Sequence, residues 1–519
     1  MFKKVFKLNF KIVIVALLSL ILLQLVTAYI FGFIIKTQMD IQYKHLSDST
    51  LIQVKNHKYH RGLFSSDETT EISLNSQALN KVLNMLPKSS NESIAAGDNS
   101  SYSIEFSSHI EHGLLAAIIN GYFMPALAYS KTNITYPDKL NAMLNNFFNN
   151  QVPINIDNII YLDKSGKFLI HSPKFEYKEA VSGINVSWGG MEALLKYNEN
   201  FDKFTTNLSI PNFELIAPTK GTVVIKNFVY NSNSTNSRNN IEVGNTKLTL
   251  NKAQIKWDDK VAISFKVGDL LNLFTGLSSV QFLNGIDAIN PNSFLFTNVS
   301  YASSSDDIND FFNANADIKF ESLVTNDNNY GPMNLSVAVS HLNSKAFRDL
   351  TNKIAIVSAE SKPSDSKEVS KAKFIKILKK GFAPILVDSP IIAINNFTFN
   401  TPDGLVGVSG SATTKEFAIT DMDEESKFMG HLVMDAQVSI PKPIISSLFV
   451  LQMQYLLSAG NAQMDQQSSD ALVKVANILL DNQISIWGKK GYVTESGNIL
   501  STHIVMKDGR VLLNGIIDD

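Results

Sequence analysis

Read for apolar and polar positions, the chain opens on one greasy run and then changes period. From Ile12 to Ile35 the residues are apolar apart from weakly polar interruptions such as Ser19, Gln24 and Thr27. At about 1.5 Å of rise per residue, such a helix crosses a hydrocarbon core of about 30 Å with length to spare. Lys3, Lys4, Lys7 and Lys11 precede it, so the expectation is a single-pass anchor with its N-terminus inside and the bulk of the chain exported. Val26-Thr27-Ala28 resembles a signal-peptidase site. The run continues well past it, beyond the ~7–15 residues of a signal-peptide core, so the anchor is expected to stay uncleaved. Thr37 to Ser49 then reads as a polar helical stalk.

Downstream the period shortens to two, as in half-buried strands. Strands are expected around an Arg61-Gly62 turn, over Tyr102–Ile110, and in stretches such as Thr222–Tyr230, Thr246–Trp257 and Met333–Val339. A pattern recurs among them, with apolar residues at i, i+2, i+5 and i+7 and Asn at i+4. It reads INIDNIIY (Asn158), LSIPNFEL (Asn212), VVIKNFVY (Asn227), FLFTNVSY (Asn298) and IAINNFTF (Asn396), with LTLNKAQI carrying Lys252 in the Asn place. A flat strand keeps one face only at even steps. The odd step is that of a β-bulge, and Asn suits it because it tolerates left-handed backbone. Long, bulged, strongly twisted strands in a curved antiparallel sheet are the expectation. Hairpin returns are placed at Asp403-Gly404 and Asp508-Gly509.

Helical periods interrupt the strands. Helices are expected over Ser76–Leu86, Leu114–Ala128, His341–Glu360 and the basic segment Lys371–Leu378, a solvated face of a packed amphipathic helix. Ile444–Leu457 and Ala471–Leu480 form a C-terminal helical hairpin. The fold class is therefore mainly β with inserted helices. The expected organisation is a cytoplasmic tip and anchor (1–36), a β-rich exported region (37–340) and an α+β region (341–519).

Composition narrows the function. The chain has no cysteine, which removes disulfides, zinc–thiolate sites and thiol nucleophiles. Net charge is −2 and the exported part is mildly acidic, which argues against nucleic acid. The several Asn-x-Ser/Thr triplets are chance matches in an Asn-rich chain. No G-x-S-x-G, P-loop or dinucleotide fingerprint is present, and no cofactor is expected. In His109-Ile110-Glu111-His112 the two histidines fall on opposite faces of a strand, a poor metal site. His57, His60 and Arg61 crowd a turn with Asp67 and Glu68. That turn could hold an anion or a carboxylate, a turn braced by Arg61 pairing is the plainer expectation, and Arg61 and His112 are the candidate ligand-binding residues. Gly189-Gly190 reads as a strand-edge turn.

Several pieces, taken in order, resemble the YdgA family of inner-membrane-anchored Gram-negative proteins of unknown function. They are the lysine-plus-anchor start, Tyr59-His60-Arg61-Gly62-Leu63-Phe64-Ser65-Ser66, Glu111-His112-Gly113, Ser187-Trp188-Gly189-Gly190, Val243-Gly244-Asn245 and the closing Leu513-Asn514-Gly515. Trp188 departs from the family pattern, which is Phe-like there with a Ser before the glycines. The resemblance implies a periplasmic body and brings no activity or catalytic residues. Together these readings point to a non-enzymatic envelope protein that binds an apolar ligand, such as a lipid, or an extended polypeptide on a curved sheet. The alternatives are an assembly partner acting through the helical hairpin, or a hydrolase built on His112.

Overall fold

The computed structural model describes residues 10–47, 52–74, 103–218, 220–257, 293–325, 328–360, 380–457 and 466–517. The expected helices at 76–86 and 371–378 lie outside them. The chain divides into two compact units, Met1–Phe213 with Val229–Thr235, and Glu214–Phe228 with Asn236–Asp519. Strands whose register is described pair antiparallel throughout.

The first unit begins with α1 (Phe10–Ser47), one helix that contains the expected anchor and the expected stalk as far as Ser47. The sheet starts with β1 (Ile52–Arg61), β2 (Ser65–Leu74) and β3 (Ser103–His112). After α2 (Ala116–Ile119) comes β4 (Ala128–Thr135), and after α3 (Asp138–Phe147) come β5 (Asn155–Ile160) and β6 (Gly166–Ser172). A short hairpin, β7 (Phe175–Lys178) with β8 (Asn185–Trp188), precedes β9 (Met191–Tyr197) and β10 (Lys203–Ala217). Pairing runs β1–β2–β3–β4–β5–β6–β9–β10. The stalk is no free linker. Ile35 and Met39 of α1 are buried with Ile110, Leu127, Ala128 and Ile160, because the apolar stripe of α1 runs past the membrane-length stretch and needs a sheet to cover it. The expected helix over Leu114–Ala128 shrinks to α2. Gly121, at φ 92°, and Pro125 end it.

After β11 (Gly221–Asn236) the second unit continues with β12 (Glu242–Trp257), β13 (Ser293–Ile308) and β14 (Phe311–Phe320). The short β15 (Ser322–Thr325) and β16 (Asn328–Tyr330) lead to β17 (Met333–Asn343) and α4 (Ser344–Glu360). Beyond a helix over residues 380–386 lie β18 (Ile391–Thr401), β19 (Gly404–Thr414), α5 (Glu425–His431) and β20 (Leu432–Pro441). Then come α6 (Lys442–Leu457), α7 (Gln466–Lys489), β21 (Thr494–Ser496), β22 (Ile499–Lys507), β23 (Arg510–Leu513) and β24 (Ile516–Ile517). The sheet runs β12–β13–β14–β17–β18–β19–β20–β22–β23. β17 pairs with β14 on one side and β18 on the other, so the stretch around residue 341 lies inside this unit. Helices α6 and α7 touch through a Lys442–Asp481 ion pair of 2.9 Å and a Ser446–Asn477 hydrogen bond.

The asparagine repeats behave in three ways. At Asn395-Asn396 the register jumps from Ile394↔Gly410 to Phe397↔Val408, so β18 carries an extra residue. That is the expected bulge, and it puts Ile392, Ile394, Phe397 and Phe399 on one face opposite Val339, Val337, Leu335 and Met333. Asn227 (φ 52°) and Asn298 (φ 48°) take left-handed backbone. At Asn298, however, the register to β12 runs through unshifted, from Leu250↔Val299 to Lys252↔Thr297. The odd step there leaves the pairing with β12 unshifted, with no residue inserted. Asn158 and Asn212 do neither. Asn158 sits in regular pairing with Ser130 and Phe168, and Asn212 marks where β10 receives a hydrogen bond from Gly189 N (2.8 Å).

Candidate functional site

The two candidate residues and most of the motif residues around them converge on α1. Arg61 ends β1, and its guanidinium lies 3.5 Å from the centroid of the Phe33 ring and 5.1 Å from that of Tyr29. It also donates to the Tyr29 carbonyl oxygen at 3.1 Å. The expected pairing of Arg61 with a carboxylate does not form among the described residues. Asp67 is taken by His109 at 2.7 Å and Glu68 faces His57 at 3.7 Å, while the helix offers Arg61 aromatic faces that attract a cation. Gly32 makes the approach possible, since a Cβ there would sit 2.9 Å from both Arg61 Nε and His112 Nδ1.

His112 ends β3, on the opposite face from His109. Its side chain is 2 % exposed and that of Ser66 is fully buried. Tyr59 Oη donates to Ser66 Oγ (2.9 Å), which lies 2.9 Å from His112 Nε2. Burial, and then the positive charge of Arg61, pull the His112 pKa down to about 4, so the imidazole is neutral. The Tyr–Ser–His chain has the distances of a proton relay, but it is sealed beneath α1. On the facing strand, burial and then Asp40 of α1 raise the Glu68 pKa to about 7, and burial lowers that of His57. His57 also lies 2.9 Å from Thr70 Oγ1 and is stacked on Tyr43 at 4.1 Å.

Higher on α1, Gln24 explains why a polar residue interrupts the greasy run. Its Nε2 donates to the His112 carbonyl (3.2 Å), and its Oε1 accepts from Leu115 N (3.2 Å). Gly113 lies between them at φ 110°, and a Cβ there would come within 2.3 Å of Gln24 Nε2. The remaining motif residues shape this seam or a strand junction. Gly62 N closes the β1–β2 turn on Ser65 O (2.8 Å), and Phe64 O accepts from His112 N (2.8 Å). Asn158 is buried and accepts from Tyr197 Oη (2.9 Å). Gly189 lets β10 approach, with the position of its absent Cβ 3.0 Å from Asn212 N, and Gly190 sits at φ 89° against Ser172 O.

A second feature lies in the second unit. Cross-strand partners share a face of the sheet, and one row reads Leu248, Tyr301, Ile318, Leu335, Phe397, Val408 and Val438. None of these side chains is buried. Helix α4 covers one margin of the same face at Ala314 and Val339, and α6 with α7 covers another at Leu500. Between them the apolar rows stay part-exposed, more so at Ile392 and Ile394. A groove of about 410 Å³ runs across β18–β22, lined by Thr398, Ser409, Gln437 and His503 as well as Phe397, Val408 and Val438 of the row. No group of acidic and histidine residues fit to hold a metal ion occurs among the described residues.

The family described as bacterial protein of unknown function (DUF945) matches residues 9–516. The chain belongs to that family. The YdgA proteins, which its ordered motifs resemble, are members of DUF945 too. No curated protein and no solved structure matches the chain. Within this DUF945 chain, sequence reasoning had singled out Tyr59, Arg61, His112 and Gly113 but missed Ser66 as their link, although the motif ends on it. It also missed Gln24, whose one signal was a polar side chain where only apolar ones were needed.

Proposed function

We propose that this DUF945 protein is a non-enzymatic binding protein of the bacterial cell envelope. In this reading α1 holds it in the inner membrane with its body in the periplasm, and the part-exposed apolar rows of the second unit take an apolar ligand such as a lipid acyl chain. The part-exposed face carries the reading. A soluble sheet normally covers seven contiguous apolar cross-strand positions, and whatever part of them stays accessible to water forfeits roughly 25 cal/mol for each Å². The lysines before α1 support the orientation. The burial of Ile35 and Met39 in the first unit supports a helix that stays with the body. The sealed Ser66–His112 pair supports a structural use of those residues, since no substrate reaches a serine under a packed helix.

The test is mass spectrometry of lipids that co-purify from native membranes in mild detergent, comparing the natural chain with Leu335→Asp/Phe397→Asp. A bound lipid that disappears in the variant supports the reading, and an identical lipid profile overturns it. A second reading has its own observation. Val475, Ile478 (62 % exposed), Leu479 and Ile486 of α7 are exposed, a surface suited to a protein partner. A photo-crosslinker at Ile478 that captures no protein in living cells removes that reading.

A further inference from the structure

We propose that a second part of the first unit enters the membrane beside α1. The β1–β2 turn and the loop from Gly113 to Leu127 form an apolar tip seated among the lipid chains of the leaflet around the helix. The proposal rests on α1 being a membrane anchor, and depth then carries it. Counted from Lys11, a hydrocarbon core of about 30 Å takes about 20 helical residues and ends near Phe31. Gln24 therefore lies roughly 10 Å inside that boundary at about 1.5 Å per residue. Yet Gln24 is where α1 grips the loop, through the His112 carbonyl and Leu115 N. A loop fastened there has no water to sit in.

Its chemistry matches that position. From Gly113 to Leu127 the sequence holds no charged residue. The exposed side chains are Ile118, Ile119, Phe123 and Met124, joined by Leu63 and Phe64 from the turn, and Phe123 is 100 % exposed. Irregular backbone is tolerated in hydrocarbon where its polar groups are paired internally, and much of this loop's backbone is paired in that way. Gly113 N donates to Leu127 O, Ala116 N to Gly113 O, Tyr122 N to Ala117 O and Met124 N to Tyr122 O, all at 2.7–3.0 Å. The Asn120 amide spends its donors on Glu111 and on the Ala116 carbonyl, both at 2.8 Å. Arg61 lies against Tyr29 and Phe33, at the expected boundary, where a cation and aromatic rings belong.

The natural chain has no cysteine, so single cysteines can be placed in the full-length protein. Leu22→Cys, Phe123→Cys and Val181→Cys would each carry an environment-sensitive fluorophore, with the protein reconstituted in phosphatidylcholine–phosphatidylglycerol vesicles. Circular dichroism would check that each variant folds. Lipid-borne nitroxides and aqueous iodide then report the surroundings. The expected result is a blue-shifted label at Leu22 and at Phe123, quenched by the lipid nitroxide and shielded from iodide. Val181, an exposed apolar residue of the β7–β8 turn, should respond to iodide alone. Iodide quenching at Phe123 with lipid quenching kept at Leu22 overturns the tip and spares the anchor. Shielding of Phe123 from both reagents points to a protein partner and also overturns it. Loss of lipid quenching at Leu22 overturns the anchor and the tip together.

Discussion

His112 and Glu68 give the first unit two opposed dependences on pH. The His112 pKa falls from 6.5 to about 4 on folding, so the unfolded chain binds the extra proton between those values. Stability from this group is complete above about pH 6.5 and drains away as the pH drops toward 4, by about 1.4 kcal/mol per unit. The Glu68 pKa rises from 4.5 to about 7, so there the folded state holds the proton. Its contribution is complete below about pH 4.5 and is lost as the pH climbs through 7. Thermal melts in detergent should therefore show Glu68→Gln more stable than the natural chain at pH 8, with the gap closing by pH 5. An unchanged gap would mean that Glu68 ionises as an ordinary surface carboxylate. Gly113 offers a separate test. Gly113→Ala adds a clash with Gln24 to the strain of a positive φ, whereas Gly121→Ala meets open space and adds strain alone. Both should melt earlier, with the strain costing about 1–3 kcal/mol and Gly113→Ala costing more.

At the scale of the element, an odd step in an even-period pattern has a sharp consequence. Deleting Asn395 would remove the extra residue of β18 and leave Ile394 and Phe397 two positions apart, still on one face and in step with Gly410 and Val408. The deletion should therefore still fold and melt cooperatively, and Asn395→Gly should likewise keep the melting transition nearly in place; loss of the melt in the deletion would show that the bulge itself is required. Asn298→Val should cost about 1–2 kcal/mol because a β-branched residue resists left-handed backbone, and Asn298→Gly should cost less. These elements also show how far the chain could be read in advance. Strands, hairpin turns at Gly404 and Gly509, and the bulge at Asn396 follow from local chemistry, and so were legible. The regular pairing at Asn158 was not, because its side chain answers to Tyr197, thirty-nine positions away. Nor was the irregularity facing Asn313, where Phe312↔Leu342 gives way to Ala314↔Val339; it is set by His341 at φ 61°, and no octapeptide flags it. Arg61 and His112 stood out by residue type, but the α1 face they serve lies some 30 to 90 positions earlier in the chain, beyond any local pattern.

For the whole molecule, α1 is long and apolar enough to cross a bilayer, yet it also belongs to the body. A chain beginning at residue 48 would lose Ile35 and Met39 from the first unit's core, each worth about 1.5–3 kcal/mol when fully buried. It would also uncover Ser66 and His112. Such a chain should be recovered as aggregate, while the full-length chain stays monodisperse in detergent by size-exclusion chromatography. Soluble, cooperatively melting material from the truncated chain would show that the helix is dispensable to the fold. The same continuity constrains how a partner could ever be met. In the anchored reading proposed above, the grip of α1 on β1 and β3 holds the first unit at one height and one tilt over the lipid, free to explore only the plane of the sheet of lipid that carries it. Whatever it receives must come to that height, by diffusing in the same two dimensions or by spanning the gap from elsewhere.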